Sequence, residues 1–256
     1  MIAISIVILA LFGAYCLIQV SADVKPTFTV VTSQSMQHER SSQIGIIDTG
    51  DMVVLKNADL VERDEYGHLI SYVEGSKIGF SSFGEYGTVV VYERDNAEAN
   101  PIIHRLILWI GFDPDTGTWY APSLSDYDAD LWDCSGEDAA WNHLSGILTL
   151  KEIGYNSKTV SINLNLLASQ SGKSGYLTMG DNKENNYFDQ LKLVINPVSE
   201  DSINAVAWME IPWGGIPKLL TSGKKDVIDR WVPNSIPSIT MIALTAILSL
   251  FILLYI

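Results

Sequence analysis

The sequence predicts a mainly β domain flanked by two membrane-spanning helices. Two runs contain no charged residue, 2–20 and 236–256, and each is long enough to cross a bilayer as a helix. Between them, short segments rich in Val, Ile, Thr and Tyr are separated by turn residues, as in β-sheets. Without its apolar ends, the chain of 256 residues holds about one domain's worth of sequence, enough for one substantial core.

The first apolar run has two interpretations. Small residues at Val20, Ser21 and Ala22 would suit a cleaved secretory signal. Such a signal normally begins with a basic region, whereas the first basic residue of this chain is Lys25. We therefore predict a transmembrane helix over residues 1–22.

The second apolar run ends the sequence without a polar tail, so a removed anchor signal is the alternative to a transmembrane helix over residues 236–256. Basic residues precede it at Lys224, Lys225 and Arg230. Because basic residues next to a membrane span usually lie on the cytoplasmic side, these three alone would place the middle domain in the cytoplasm. The chemistry argued below requires an extracytoplasmic domain, and we give the chemistry more weight.

Six segments between the apolar runs have the composition of half-buried strands, and several alternate polar with apolar residues. Turn pairs such as Gly50-Asp51 separate them. The predicted strands span residues 27–32, 51–56, 88–92, 102–110, 158–166 and 191–196. We assign them mainly to one β domain, formed by residues 23–112 and 175–220.

Residues 113–174 interrupt this pattern and are predicted to be an inserted α/β segment. The segment is acidic and contains Trp, and its middle, residues 137–148, has the spacing of an amphipathic helix. Prolines then recur between residues 212 and 237. Because proline-rich segments are extended and stiff, we predict a linker over residues 221–235.

Charge and cysteine content exclude several classes of protein. The formal net charge of −14 opposes binding to nucleic acid or to anionic lipid headgroups. Cys16 lies in the first apolar run and Cys134 in the middle of the chain, so the two are not expected to pair. The fold therefore needs no disulfide, and no cysteine-based metal site is expected.

One acidic segment resembles a calcium loop in part. Asp126, Asp128 and Asp130 alternate as ligands do. Glu137 falls where such a loop places its last ligand, but Leu131 occupies the position that requires glycine. We predict no metal and no cofactor.

A candidate nucleophile follows the first predicted strand. Ser35 stands in the sequence Ser33-Gln34-Ser35-Met36, shortly after the first apolar run. A serine hydroxyl is a poor nucleophile until a neighbouring base removes its proton. Ser35 therefore needs a base from elsewhere in the chain.

The candidate bases are the histidines at positions 38, 68, 104 and 143. Only His104 lies in a strongly apolar predicted strand, which would hold its ring rigidly. A histidine in such a strand is more often a hydrogen-bonded core residue than a catalyst. His38 is the rival base, and we rank it below His104 because residues that follow a strand-end nucleophile tend to point away.

Two aspartates are candidates to orient the base. Asp181 belongs to Gly180-Asp181-Asn182, and Asp189 stands just before the predicted strand 191–196. A carboxylate behind an imidazole fixes the tautomer and stabilises the imidazolium that proton transfer produces. Asp, Asn and Gly also favour tight turns, so both aspartates have a purely structural interpretation as well.

Together these segments resemble the motif blocks of type I signal peptidases, in the same order along the chain. Each block is weak by itself, whereas the set is specific. A histidine where bacterial members have a lysine base is similar to the archaeal and endoplasmic reticulum branch of that family. The blocks are Ser33-Gln34-Ser35-Met36, Gly50-Asp51-Met52-Val53-Val54, His104-Arg105, Gly180-Asp181-Asn182 with Asp189, and Ile211-Pro212-Trp213-Gly214.

The resemblance implies a serine endopeptidase with a Ser-His-Asp site. Ser35 matches the nucleophile and His104 the general base. The hydroxyl of Ser33 and the backbone N–H of Ser35 would form the oxyanion hole. Asp189 matches the carboxylate that orients the base, and Asp181 takes a supporting role.

Two departures from the family pattern bear on these roles. His38 stands where the family usually has proline, which leaves the backbone after the nucleophile less restrained. The spacing between Asp181 and Asp189 is longer than usual, so the choice between the two aspartates stays open.

The resemblance also implies a signal-peptidase-like catalytic domain outside the cell membrane that cleaves signal peptides from secreted preproteins through an acyl-enzyme. Its expected partners are then preprotein signal peptides and the membrane. The secretion translocon is left open as a further partner, and no binding to nucleic acid is expected. The alternative is a catalytically inactive, membrane-tethered β domain that binds or scaffolds surface proteins.

Overall fold

The computed structural model describes residues 2–94 and 100–255, with the backbone alone at residues 2–8, 11, 250 and 253–255. The strands are β1 (Phe28–Val30), β2 (Met52–Lys56), β3 (Ser81–Ser82), β4 (Glu85–Tyr86), β5 (Val89–Tyr92), β6 (Ile102–Asp113), β7 (Thr118–Tyr120), β8 (Trp132–Cys134), β9 (Ile147–Ile153), β10 (Lys158–Asn163), β11 (Gly175–Met179) and β12 (Ile203–Ile211). The helices are α1 (Ile2–Ala22), α2 (Tyr72–Ile78), α3 (Leu164–Gln170), α4 (Ile216–Thr221), α5 (Lys225–Trp231) and α6 (Ser235–Tyr255).

The fold is mixed α and β, with several antiparallel sheets. A mainly β chain was expected because the sequence patterns indicated strand or linker in segments where the structure has helices. The main sheet has seven strands in the order β1-β2-β12-β5-β6-β11, with β7 paired to the far end of β6. Its strand pairs are antiparallel.

The central strand β5 is buried along its whole length, which explains its unbroken apolar sequence. Its side chains alternate between two core layers. Val90 and Tyr92 pack into one layer. Val89 and Val91 pack into the other, together with Met36, the residue after the predicted nucleophile.

Strand β6 lies next to β5 and carries the predicted base. His104 and Arg105 are consecutive in it, so their side chains point to opposite faces of the sheet. Both are buried. On its other side β6 pairs with β11, which leads directly into the segment that contains Asp181.

Five of the six predicted strands occur, and the sixth, 191–196, is wrong. A 3₁₀ turn spans Asp189–Leu191, and the residues after it continue as irregular chain. The carbonyl oxygen of Asp189 accepts hydrogen bonds from the N–H groups of the three residues that follow Leu191, at 2.7 to 3.2 Å. Because these N–H groups turn onto one carbonyl, they are not available to a β-ladder.

Residues 113–174 connect β6 to its neighbour β11 and, after β7, form a second sheet. It has three antiparallel strands, in the order β10, β9 and β8, and α3 follows β10. The predicted helix over 137–148 is wrong. Ala140 and His143 instead form an antiparallel bridge, and Gly146, with its φ of 73°, turns the chain into β9.

The predicted extended linker over 221–235 is helical for much of its length. Helices α4 and α5 pack on each other through a small core that includes Ile216, Ile228 and Val232. Pro217 lies in the first turn of α4, where its fixed φ suits a helix and its missing N–H costs nothing. Proline here begins a helix and does not extend a linker.

Within the described residues, no single helix is both long and apolar enough to cross a bilayer. Helix α5 and the Ser235–Ser249 part of α6 reach that length and composition only as a pair, and the two are bent by 97°. The predicted spans 1–22 and 236–256 reach positions that lie outside the described residues. Membrane attachment therefore stays a prediction.

Candidate active site

His104 and Asp189 form a buried pair beside the main sheet. Nδ1 of His104 lies 2.7 Å from Oδ2 of Asp189, and both side chains are almost inaccessible to solvent. Because an ionised carboxylate only accepts hydrogen bonds, we assign the ring proton to Nδ1. The other ring nitrogen, Nε2, is then the basic one.

Tyr92, on the neighbouring strand β5, binds the Asp189 carboxylate, a contact that the sequence patterns did not indicate. Its hydroxyl donates to Oδ2 of Asp189 at 2.6 Å and lies 3.0 Å from Oγ1 of Thr178. Burial, followed by the charge of Asp189, raises the pKa of Tyr92 well above its ordinary value. The hydroxyl therefore stays protonated and keeps donating to Asp189.

The backbone of Ser35 lies against the histidine. The Ser35 carbonyl oxygen accepts from the N–H of Asn182 at 2.9 Å and from Nδ2 of Asn185 at 3.3 Å. A Cβ on Gly180 would lie 2.3 Å from that oxygen and 2.8 Å from Nε2 of His104. Only glycine permits this approach, so the Ser35 carbonyl oxygen and Nε2 of His104 both lie close to Gly180.

The side chain of Ser35 is bonded to its neighbour. Its Oγ lies 3.2 Å from Oγ of Ser33. A bond from Ser35 Oγ to Nε2 of His104, which proton transfer requires, is not among the hydrogen bonds of the described residues. Catalytic bonds of this kind are often long without substrate and tighten when it binds.

A cleft of about 640 Å³ brings these groups together. Ser33, Ser35, His104 and Asp189 all line it, although they come from distant parts of the sequence. Its volume is in the range of ligand sites, roughly 300–1,000 Å³. Apolar wall residues come from four strands of the main sheet: Val30, Leu55, Val91 and Ile103.

Asp181 makes a different pair. Its carboxylate accepts from Nε and Nη2 of Arg105 at 2.9 and 2.6 Å, and both side chains are buried. Nη1 of Arg105 is within 2.9 to 3.2 Å of four oxygens of residues 82–87. Asp181 thus ties the segment after β11 to the β3–β4 hairpin, and it does not contact His104 through a hydrogen bond in the described chain.

His38, the rival base, does not line the cleft with Ser35. Its ring is buried and stacks on Tyr155, with 4.3 Å between ring centroids. Its Nε2 has no hydrogen-bond partner among the described residues. Burial lowers the pKa of His38 below its ordinary value, in keeping with a neutral packed ring.

Two further residues support the backbone around Ser35. Nδ2 of Asn182 donates to the carbonyl oxygens of Gln34 and Gln37 at 2.9 and 3.0 Å. Nζ of Lys158, a residue of the 113–174 segment, donates to the carbonyl oxygens of Asp181 and Asn182 at 3.0 and 2.7 Å. Burial lowers the pKa of Lys158 to about 8. The motif blocks contain Asn182, whereas Lys158 lies in the segment they do not cover.

The acidic segment that resembles a calcium loop is held by other contacts. Asp126 pairs with Lys77 at 2.5 Å, and the Asp128 carboxylate accepts from the N–H of Asp130 at the start of a 3₁₀ turn. In the described part of the chain, no group of three or more His, Cys, Asp or Glu side chains is arranged to hold a metal ion. Cys16 and Cys134 are both free.

The arrangement can perform general-base chemistry on a hydroxyl. His104 and Ser35 line the same cleft, and Nδ1 of His104 is bonded to a buried carboxylate. Comparison of the chain with family models, with curated proteins and with solved structures finds no match.

Proposed function

We propose that the chain is a membrane-bound serine endopeptidase of the signal peptidase kind, which cleaves signal peptides from secreted preproteins. One observation carries the proposal: Ser35, His104 and Asp189 line a single cleft, with His104 bonded to Asp189. A nucleophile, a base and an orienting carboxylate in one cleft are what acyl transfer by a serine requires.

The reaction proceeds in two steps. Ser35 Oγ attacks the scissile carbonyl carbon while Nε2 of His104 takes the hydroxyl proton, and the imidazolium then protonates the leaving amine as the C–N bond breaks. Water attacks the resulting ester, again losing a proton to Nε2, and that proton returns to Ser35 as the acyl group leaves. Asp189 stabilises the imidazolium in both steps.

The oxyanion hole is assigned to the hydroxyl of Ser33 and the backbone N–H of Ser35. The 3.2 Å between the two serine hydroxyls supports this role, because it puts the Ser33 donor next to the atom that attacks. These donors stabilise the negative charge that develops on the carbonyl oxygen.

The substrate is an extended peptide with small residues before the scissile bond. Strand β1 lies at the edge of the main sheet, and its residues Thr29 and Val30 line the cleft. An extended peptide can pair with a strand edge, while shallow apolar walls select small side chains at alternate positions.

The signal-peptidase-like β domain is proposed to lie outside the cell membrane, attached by the apolar segments of α1 and α6. The support for attachment is their composition: neither run, 2–20 or 236–256, contains a charged residue. Cleavage of an emerging signal peptide requires the catalytic domain to be on that side.

Cleavage of a preprotein by the purified chain in reconstituted membranes tests the proposal. We expect Ser35→Ala to lose at least about 10³-fold of the cleavage rate. Ser169→Ala, at an exposed serine on α3, is the matched control and should cleave as the unmodified chain does.

Cleavage by Ser35→Ala at the unmodified rate would reject Ser35 as the nucleophile. A folded, unmodified chain that cleaves no preprotein and reacts with no serine-directed phosphonate would reject the enzymatic proposal. That result would favour the alternative of a tethered binding domain.

A further inference from the structure

The loop that carries Ser35 has no regular structure of its own. Residues 32–43, which we call the nucleophile loop, follow β1 and contain no helix or strand. Much of the loop is nevertheless buried, including Met36, Gln37 and His38. Its conformation therefore depends on bonds to other parts of the chain.

One of these parts is the bend between α5 and α6, residues 231–234, which we call the C-terminal bend. Nδ2 of Asn234 donates to the carbonyl oxygen of Ser42 at 2.8 Å, and the N–H of Ser42 donates to Oδ1 of Asn234 at 2.8 Å. The asparagine amide thus satisfies both backbone groups of one loop residue, as a neighbouring strand would. A side chain without both a donor and an acceptor cannot replace it.

A second contact lies closer to Ser35. Nε2 of Gln37 donates to the carbonyl oxygen of Trp231 at 2.6 Å, while its Oε1 accepts from Oγ1 of Thr49 at 3.0 Å. The Gln37 side chain is only 1% exposed, so water does not compete for these bonds. Its own carbonyl oxygen is the one that Asn182 holds.

The third contact is between side chains. The guanidinium of Arg40 lies over the ring of Trp231, 5.3 Å from its centroid. Trp231 and Asn234 therefore fix the nucleophile loop at three points along residues 37–42. The opposite end of the loop is fixed by the hydrogen bonds of Asn182 and Asn185 to residues 34 and 35.

The C-terminal bend is itself packed against neighbouring helices. Val232 is fully buried in the small core between α4 and α5, and Ser235, the first residue of α6, is buried too. The two helices on either side of the bend are inclined by 97°. Any shift of α6 against the domain therefore acts on the nucleophile loop through Asn234.

From these contacts we propose that the C-terminal bend is a positioning element for Ser35. Asn234 and the carbonyl oxygen of Trp231 hold the nucleophile loop in the shape that keeps Ser35 in the cleft with His104. Helix α6 is then part of the working catalytic unit and not only an attachment. This inference rests on the function proposed above.

The Asn234→Ala variant of the chain tests the inference. A displacement of about 1 Å at the nucleophile can cost about 100-fold in rate, so we expect kcat for a signal-peptide substrate to fall about 10- to 100-fold. The cleft walls do not include Asn234, so KM should change less than about threefold by the same reasoning. Asn165→Ala is the matched control, since Asn165 also accepts from a backbone N–H, that of Gly146, but in the 113–174 segment.

Hydrogen exchange of residues 34–43 gives a second measurement that does not depend on activity. We expect faster exchange there in Asn234→Ala and in Gln37→Met, with exchange of β5 and β6 unchanged. An Asn234→Asp variant keeps the acceptor for the Ser42 N–H but sets a carboxylate oxygen against the Ser42 carbonyl oxygen, so it should not recover kcat.

Unchanged kcat in Asn234→Ala would overturn the inference, as would a fall in kcat that comes with general acceleration of exchange in β5 and β6. If the unmodified chain has no peptidase activity, the proposed function fails. In that case, unchanged hydrogen exchange of residues 34–43 in Asn234→Ala would separately show that the C-terminal bend does not position the nucleophile loop. Faster exchange there would show that the bend does position the loop, although without a catalytic consequence.

Discussion

Two groups of wholly or partly buried carboxylates can be compared in the described residues, one beside β6 and one at the start of β2. Beside β6, each carboxylate meets a basic side chain: Asp181 pairs with Arg105, and Asp189 pairs with His104. The two basic residues are neighbours in the sequence and point to opposite faces of the sheet.

At the start of β2, the carboxylate cluster of Asp48, Asp51 and Glu210 has no such partner. None of the three forms an ion pair with a side chain in the described part of the chain. Backbone N–H groups, those of Gln43 and Trp213 among them, donate to the cluster. Burial raises the pKa of Asp48 to about 8, of Glu210 to about 7 and of Asp51 to about 6.

The two groups illustrate three uses of a buried acid. Arg105 keeps its charge throughout the physiological range, so its pair with Asp181 is a fixed structural bond. An imidazole can accept and return a proton, so the pair of His104 with Asp189 fits the proposed general-base role. The carboxylate cluster lacks a cation, and it takes up protons near neutral pH.

The largest expected effect is on the pair of His104 and Asp189, the proposed catalytic pair. In Asp189→Asn, the new amide would offer an N–H to the ring where the carboxylate only accepts, which favours the wrong tautomer of His104, so we expect kcat to fall about 10⁴-fold. Peptide cleavage under saturating substrate measures this. Asp201→Asn, at an exposed position, is the control. A loss of less than about tenfold would mean that Asp189 is not the orienting carboxylate.

The structural pair should affect stability. Asp181→Asn leaves the Arg105 charge buried without its partner, so we expect the free energy of unfolding to fall by about 3–5 kcal/mol. Urea denaturation measures it. The double variant Asp181→Leu with Arg105→Met removes both charges and should recover part of the loss. A change below about 1 kcal/mol in the single variant would show that water reaches the pair.

The carboxylate cluster should make stability depend on pH. Because the folded-state pKa of Asp48 is raised to about 8 from its usual 3.8, protonated Asp48 favours the folded chain at low pH, and this stabilisation is lost as pH rises towards 8. The free energy of unfolding should therefore decrease between pH 5 and 8, by up to about 1 kcal/mol per pH unit from this group. Asp48→Asn should flatten the decrease, while Asp133→Asn, at an exposed position, should not. Equal slopes in denaturation curves of Asp48→Asn and the unmodified chain would contradict this.

How far the fold could be predicted from the sequence depends on whether local or distant contacts decide the structure of each segment. Strands such as β5 and β6 were predictable because their long runs of β-branched and apolar residues are a local signal. Segments 137–148 and 191–196 were not, since a bridge between Ala140 and His143 and the triple use of the Asp189 carbonyl oxygen decide their shape. The helices α4 and α5 depend on burial of Ile228 and its neighbours, which composition alone did not indicate.

The residues of the candidate site were also predictable only in part. Ser35, His104 and Asp189 could be named from residue type and from the resemblance, because the proposed chemistry needs a hydroxyl, an imidazole and a carboxylate. Lys158 and Tyr92 could not, since their roles exist only through contacts with residues far away in the sequence. The register of the sheet explains the position of Tyr92, which stands two residues after Val90, the partner of His104 across the sheet.

The smallest expected effect concerns Tyr92, and it shows how much of the position of the Asp189 carboxylate depends on Tyr92 and how much on His104. Tyr92→Phe removes one of the two donors to Oδ2 of Asp189, and a hydrogen bond to a charged group contributes about 1.5–3 kcal/mol at most. His104 remains bonded to the same oxygen, so much of the orientation survives, and we expect kcat to fall about tenfold with KM unchanged. Tyr66→Phe, at an exposed tyrosine, is the control for the loss of a hydroxyl. If Tyr92→Phe reduced kcat as far as Asp189→Asn, the tyrosine would be fixing the position of the carboxylate, and His104 alone would be unable to hold it.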